Sequence, residues 1–193
     1  MAHYVCNRRD CWGYVQGSAP LGVKRLIWEH ESEELVCDPR VGIDHFTLAT
    51  REARVLGLTA DEIERGELLP GAVAAFWSWR SLAKDRPWLE AVAASCVLEI
   101  RNSSAVIRGG GLAQRIRKKL IEEAGLPAEQ LINQSTHVQA DVSHADLLSR
   151  VVEGYVREPE DEAAVMRGVR DSLIIDRAFR GALGLGLRNV ESG

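Results

Sequence analysis

Thr136-His-Val-Gln-Ala-Asp-Val-Ser-His144 holds three metal-ligand side chains at the spacing His137-x3-Asp141-x2-His144. On an α-helix, at about 100° per residue, offsets of four and seven bring these side chains within roughly 60° of arc, so all three point at one spot. Imidazole nitrogen with carboxylate oxygen suits iron, manganese or zinc, and three ligands from one helix leave coordination positions for other helices to fill. The plainer reading is an exposed polar face carrying ordinary histidines. Against it stands the economy of the chain, which has only five histidines and puts two of them here.

A site with one such face needs complementary groups elsewhere. Glu99 lies in Ala93-Ala-Ser-Cys-Val-Leu-Glu-Ile100, an apolar run where burying an unpaired carboxylate costs several kcal/mol. A metal would remove that cost; the alternative is a helix end with Glu99 at the surface beside Arg101. His45, in Gly42-Ile-Asp-His-Phe-Thr-Leu48, opens an amphipathic stretch and taken alone reads as a helix-terminal or core histidine. Upstream, Trp28-Glu-His-Glu-Ser-Glu-Glu34 offers His30, Glu31 and Glu34, of which 30 and 34, or 31 and 34, share a helical face. Acid-rich runs are more often solvated faces.

At 193 residues the chain is long enough for one well-filled core, and nothing in it demands a second domain. A net charge of −4 and a pI near 5.8 give no field directed at nucleic acid or an anionic membrane, so a small-molecule partner is expected. No run of about 18 apolar residues and no secretion signal is present, which reads as cytoplasmic. Cys6, Cys11, Cys37 and Cys96 form no C-x-x-C pair, arguing against a zinc finger or disulfide framework and for mostly buried thiols.

Helical periodicity dominates and no window alternates like a strand, so the fold class is all-α. Coarse helices run over 4–16, 22–37, 43–56, 70–84, 88–101, 113–124, 135–155 and 160–183, with Gly57-Leu58-Thr59 ending one helix and capping a short additional one. Gly109-Gly110-Gly111 should break helix and form a hinge, a substrate loop or a surface connection. Phe76, Trp77 and Arg80 fall on one helical face, which points to a homodimer contact.

Taken in order, the carboxylate helix, His45, the isolated Glu99 and the His137-Asp141-His144 face resemble the haem-oxygenase-like diiron oxidases and oxygenases, relatives of pyrroloquinoline-quinone synthase and the thiaminase-like proteins. Tyr4-Val-Cys-Asn-Arg8 looks like that fold's aromatic-x-x-Asn-Arg helix, and the stretch 46–58 looks like its Leu-rich helix ending in Gly-Leu. The resemblance implies a single haem-oxygenase-like bundle of about seven helices over residues 1–193. It also implies two iron ions, Fe2+/Fe3+, held by three histidines and three carboxylates, with manganese as the other metal such donors serve. Carried over residue by residue, His45, Glu99, His137, Asp141 and His144 match five metal positions, and Glu34 is chosen for the sixth. There the sequence departs from the pattern, because the family's gap from glutamate to histidine is shorter than that from Glu34 to His45. His30, Glu31 and Asp38 are the alternatives. The helix that precedes the first in relatives is not recognisable here, so the expectation is either that a partner protomer covers that face or that the sequence begins short of it.

By the same resemblance the chain is an O2-dependent enzyme of specialised-metabolite biosynthesis, with an electron donor among its potential partners. It would act on a small amine- or carboxylate-bearing metabolite, amino-acid-derived in the favoured case, by N-oxygenation, desaturation or C–C cleavage. Arg101 and Arg108, with Arg115 near the glycine run, are candidates for a substrate carboxylate, although ordinary surface arginines are the commoner case. The alternative is a metal-free thiaminase-like hydrolase or cofactorless oxidase on the same fold, for which Cys96 is the nucleophile to consider. A non-catalytic binding protein on this scaffold is the third reading.

Overall fold

The computed structural model describes residues 2–191, with side chains described for 3–185. Its elements are α1 (Ala2–Ser18), α2 (Leu21–Leu35), α3 (His45–Val55), α4 (Ala60–Arg65), α5 (Pro70–Asp85), α6 (Trp88–Ile100), α7 (Leu112–Glu122), a 3-10 turn (Ala128–Gln130), α8 (Ile132–Tyr155) and α9 (Pro159–Glu191). The punctuation read from the sequence is where helices start: Pro70 and Pro159 open α5 and α9, and Thr59 and Glu62 close a reciprocal capping box on α4. The Asp44 carboxylate accepts from the Thr47 backbone N–H at 2.8 Å, which caps α3 and fixes His45 as its first residue.

α6 is the axis of the molecule. Every residue from Leu89 to Glu99 is buried, because α1, α5, α8 and α9 surround it. A helix apolar on all sides can only be stable enclosed in this way. Each fully buried aliphatic side chain such as Leu98 or Val92 contributes about 1.5–3 kcal/mol. α9 crosses α6 closely enough that a Cβ at Gly168 would collide with the Glu90 carbonyl oxygen, so glycine is required at that crossing.

Several expectations need correction. The described residues contain nine α-helices, where family resemblance implies about seven; the eight coarse segments plus the short capped one give the right number. α8 begins at Ile132, three residues before the expected start, and so adds Asn133 and Gln134 to the helix. Phe76, Trp77 and Arg80 do not lie together on one exposed face. Phe76 is 6% exposed in the core, Trp77 is 68% exposed, and Arg80 pairs with Asp10 of α1 at 2.6 Å. Adjacent helical residues lie about 100° apart, so the surface of the core divides this trio. Of the cysteines, Cys11 and Cys96 are buried but Cys6 and Cys37 are exposed, and all four are free. The segment after α6 is indeed a break: Gly109 and Gly110 adopt φ of 88° and 95°, which only glycine takes readily. No described helix is long and apolar enough to cross a membrane.

Candidate metal centre

Helices α2, α3, α6 and α8 bring their polar residues to one place, with α1 alongside. On α8, His137, Asp141 and His144 point inward as their spacing requires. Glu99 arrives from the last turn of α6, His45 from the start of α3, and His30, Glu31 and Glu34 from the buried side of α2.

Glu34 occupies the middle. Its Oε1 is 2.9 Å from His45 Nδ1 and 3.6 Å from His144 Nδ1. On one side of it, His30, Glu99 and His144 each present a ligand atom within 4.8 Å of the others. On the other, the His45 and His137 rings lie 4.5 Å apart and His137 Nδ1 is 3.5 Å from Asp141 Oδ1. Asp38 is fully buried but lies outside this centre, where its Oδ2 engages His45 Nε2 at 2.8 Å. That is the position of an orienting carboxylate behind an imidazole rather than of a ligand beside it.

Two arginines of α1 neutralise part of the acid. Arg8 donates to Glu99 Oε1 at 3.1 Å and to the Ser95 carbonyl at 2.8 Å. Arg9 lies 2.7 Å from Glu34 Oε2 and 3.1 Å from Glu31 Oε1. Burial alone would raise the Glu99 carboxyl, but the Arg8 charge and then His30 outweigh it and hold it at about 2. Burial opposes ionisation of Glu34 too, yet Arg9 and His45 bring it well below the usual carboxylate range. Asp141 goes the other way: burial raises it, and His137 offsets this only partly. Desolvation would lower His45, but Glu34 and Asp38 carry it up to about 9, whereas burial and the neighbouring His30 push His144 down to about 4.

Both Asp141 oxygens, His144 Nδ1 and His30 Nε2 are buried without a hydrogen-bond partner. His137 Nδ1 lies 3.5 Å from Asp141 Oδ1, longer than an ordinary N–H···O hydrogen bond. Stranded polar atoms of this kind cost about 1–3 kcal/mol each, more when charged, so four in one centre call for a shared partner. A divalent cation would supply that partner, and the mixed imidazole and carboxylate donors fit iron.

All six residues assigned from the sequence, Glu34, His45, Glu99, His137, Asp141 and His144, are brought together. His30, an alternative for the sixth position, joins them. Arg8 and Arg9 had no assigned role, although the Asn7-Arg8 pair in the aromatic-x-x-Asn-Arg pattern pointed to that helix.

A cavity of about 390 Å³ opens onto the centre, reaching Glu34, His45, Glu99, His137 and Asp141 at its polar end. Its walls include Leu68, Ala72, Phe76, Ile116, Phe179 and Leu183. Arg101 and Arg180 also line it, both bonded to Asp176, and Arg101 donates to the Tyr4 hydroxyl at 2.8 Å. Arg108 is exposed and does not line the cavity, because the turns after α6 carry it outward.

The family model described as iron-containing redox enzyme matches residues 1–176, and the chain belongs to this haem-oxygenase-like family. Comparison with curated proteins found none that matches. The helical bundle and the family together support an iron-containing oxidoreductase.

Proposed function

We propose that the protein is a non-haem diiron, O2-dependent oxidase or oxygenase acting on a small amine- or carboxylate-bearing metabolite. The observation that carries this is the buried centre in which Asp141, His30 and His144 present ligand atoms with no protein partner. In this reading Glu99, His144 and His30 would hold one iron and His45, His137 and Asp141 the other, with Glu34 lying between the two groups of residues. Such iron supplies the electrons for reducing O2 that no side chain can provide.

The chain's own residues do the rest. Arg9 holds Glu34 Oε2 and leaves Oε1 to face His45 and His144, while Arg8 anchors Glu99 through Oε1, the oxygen that also lies 4.0 Å from His30 Nε2. Arg8 and Arg9 also offset charge where several carboxylates meet, which lowers the cost of keeping them ionised out of water. The apolar walls receive the body of the substrate and exclude water from the polar end. Arg101, held by Asp176 and Tyr4, is placed to pair with a substrate carboxylate, and an amino-acid-derived substrate is favoured.

The metal-free alternative loses its nucleophile. Cys96 is 1% exposed and does not line the cavity; burial, and after it the Glu99 charge, push its thiol well above the ordinary value. The test is anaerobic reconstitution with ferrous iron followed by metal quantitation, with about two irons per chain expected. A chain that retains no iron, or that consumes O2 equally well after complete chelation, would sink the proposal.

A further inference from the structure

We infer that Arg40 is a positioning residue that ties together the outer sides of two metal-facing histidines, so that His45 and His144 both present Nδ1 to the centre. The inference rests on the metal reading above and concerns groups that do not line the cavity.

The connection is a continuous line of contacts. His45 Nε2 meets Asp38 Oδ2 at 2.8 Å, and the same oxygen accepts from Arg40 NH1 at 2.8 Å. That NH1 also donates to Glu33 Oε2 at 2.8 Å, and Glu33 Oε2 meets His144 Nε2 at 3.1 Å. One guanidinium nitrogen thus bridges the carboxylates behind two imidazoles that belong to different helices, α3 and α8. The other nitrogen, NH2, donates to Ser143 Oγ at 3.0 Å, beside His144 on α8.

The loop is built to hold this arrangement. The Arg40 backbone N–H donates to Asp38 Oδ1 at 2.8 Å, and the Gly42 N–H closes onto the Asp38 carbonyl at 2.8 Å. Asp38 and Ile43 form an isolated antiparallel bridge that returns the chain to His45. A carboxylate behind each imidazole fixes which nitrogen keeps its hydrogen, and with Nε2 turned outward only Nδ1 is left to face Glu34. Without the Arg40 guanidinium the two carboxylates would share no cation: Asp38 would keep only the residue-40 backbone N–H and His45, and the partly exposed Glu33 would be free to turn away from His144.

None of Glu33, Asp38 and Arg40 lines the cavity, so altering them leaves the substrate walls intact. The Arg40 and Glu33 side chains are 26% and 27% exposed, which makes replacement without loss of the fold expected. Lysine is a partial substitute: one ammonium can sit between two carboxylates as NH1 does, but it lacks the second nitrogen that reaches Ser143.

The experiment is anaerobic ferrous-ion titration of the purified chain against a competing chelator, for wild type, Arg40→Ala, Arg40→Lys and Glu33→Gln. Nitrogen-15 NMR of the metal-free protein at neutral pH accompanies it. Arg40→Ala should weaken iron binding about 10- to 100-fold, the range seen when outer partners of ligands are removed. Arg40→Lys should recover part of the loss, and Glu33→Gln should lose less than Arg40→Ala because it frees His144 alone. In the metal-free wild type, His144 should carry its hydrogen on Nε2, and Arg40→Ala should mix the two tautomers. Wild-type affinity in Arg40→Ala with an unmixed His144 tautomer would overturn the inference while leaving the metal reading standing. A wild-type chain that binds no iron would overturn both. If Arg40→Ala proves unfolded by circular dichroism, Glu33→Gln and Arg40→Lys decide the matter by the same two readouts.

Discussion

Two carboxylates of the same centre sit in opposite surroundings. Glu99, on the fully enclosed α6, is bonded by Arg8 and held at about 2. Asp141, on α8, is just as buried but has no bonded partner, and burial raises it. The difference separates structural from functional cost. Glu99 is satisfied by the protein itself, whereas both Asp141 oxygens are buried without a hydrogen-bond partner, which in the proposed reading a metal would supply.

Replacing each residue should break the comparison most visibly. Glu99→Ala strands the Arg8 guanidinium, 3% exposed, and should destabilise the metal-free protein by about 3–5 kcal/mol, measured by denaturant unfolding. Asp141→Ala removes an unpartnered group and should leave metal-free stability unchanged or slightly raised, while abolishing turnover and lowering retained iron. An Asp141→Ala variant with full activity would sink the site assignment. Equal destabilisation by the two substitutions would erase the distinction drawn between them.

The same contrast extends to pH. His45, carried up to about 9, contributes stability that is fully present below its unfolded value near 6.5 and lost as pH rises through about 9. His144, pushed down to about 4, contributes stability present above 6.5 and lost as pH falls toward 4. Glu99 adds stability present above the ordinary carboxylate range and lost only as pH falls through about 2. Metal-free stability should therefore peak near pH 6.5 and decline on both sides. Iron affinity should instead keep rising toward pH 9, because the proton on His45 competes with metal. Thermal melting across pH with and without ferrous ion, under argon, tests both curves. A metal-free maximum above pH 8 would show that the carboxylates do not hold His45 protonated.

Much of the centre was legible for local reasons. The His137-Asp141-His144 face follows from helical periodicity alone, and Glu99 is conspicuous because every neighbour in its run is small or apolar. The nine helices were legible from caps and glycines, which act within a few residues, while family resemblance undercounted them. What could not be read were partners fixed over long sequence distances. Nothing near Arg8 says that it will meet Glu99, which lies 91 positions away, and nothing near Glu33 announces His144, 111 positions away. The sixth-ligand ambiguity had the same origin. His30, Glu31, Glu34 and Asp38 are distinguishable only by which side of His45 and His144 each reaches. Arg108 falls outside the cavity because sequence proximity to Arg101 says nothing about where turns after a helix end carry a side chain.

Cys96 offers a smaller test of the centre against its surroundings. It lies one turn before Glu99 on α6, and Cys96→Ala should cost about 1 kcal/mol through lost packing while leaving O2 consumption intact. Activity that dies with this thiol and survives chelation would transfer the chemistry from the carboxylates to the cysteine.

The smallest expected effect belongs to Arg108, and it gains meaning beside Arg101. Both follow Glu99 within one stretch of chain, but only Arg101 lines the cavity and is held there by Asp176 and Tyr4. Arg108→Gln should change stability by no more than about 0.5 kcal/mol and leave carboxylate binding untouched. Arg101→Gln should weaken binding of simple aliphatic and aromatic carboxylates to the iron-loaded protein, read by calorimetry. Because Arg101 also neutralises Asp176, the variant Asp176→Asn separates the two roles: it keeps the cation and frees it from its internal partner, so carboxylates should bind more tightly. If Asp176→Asn and Arg101→Gln weaken binding alike, Arg101 is a structural strut, and the substrate's charge is met elsewhere in the cavity.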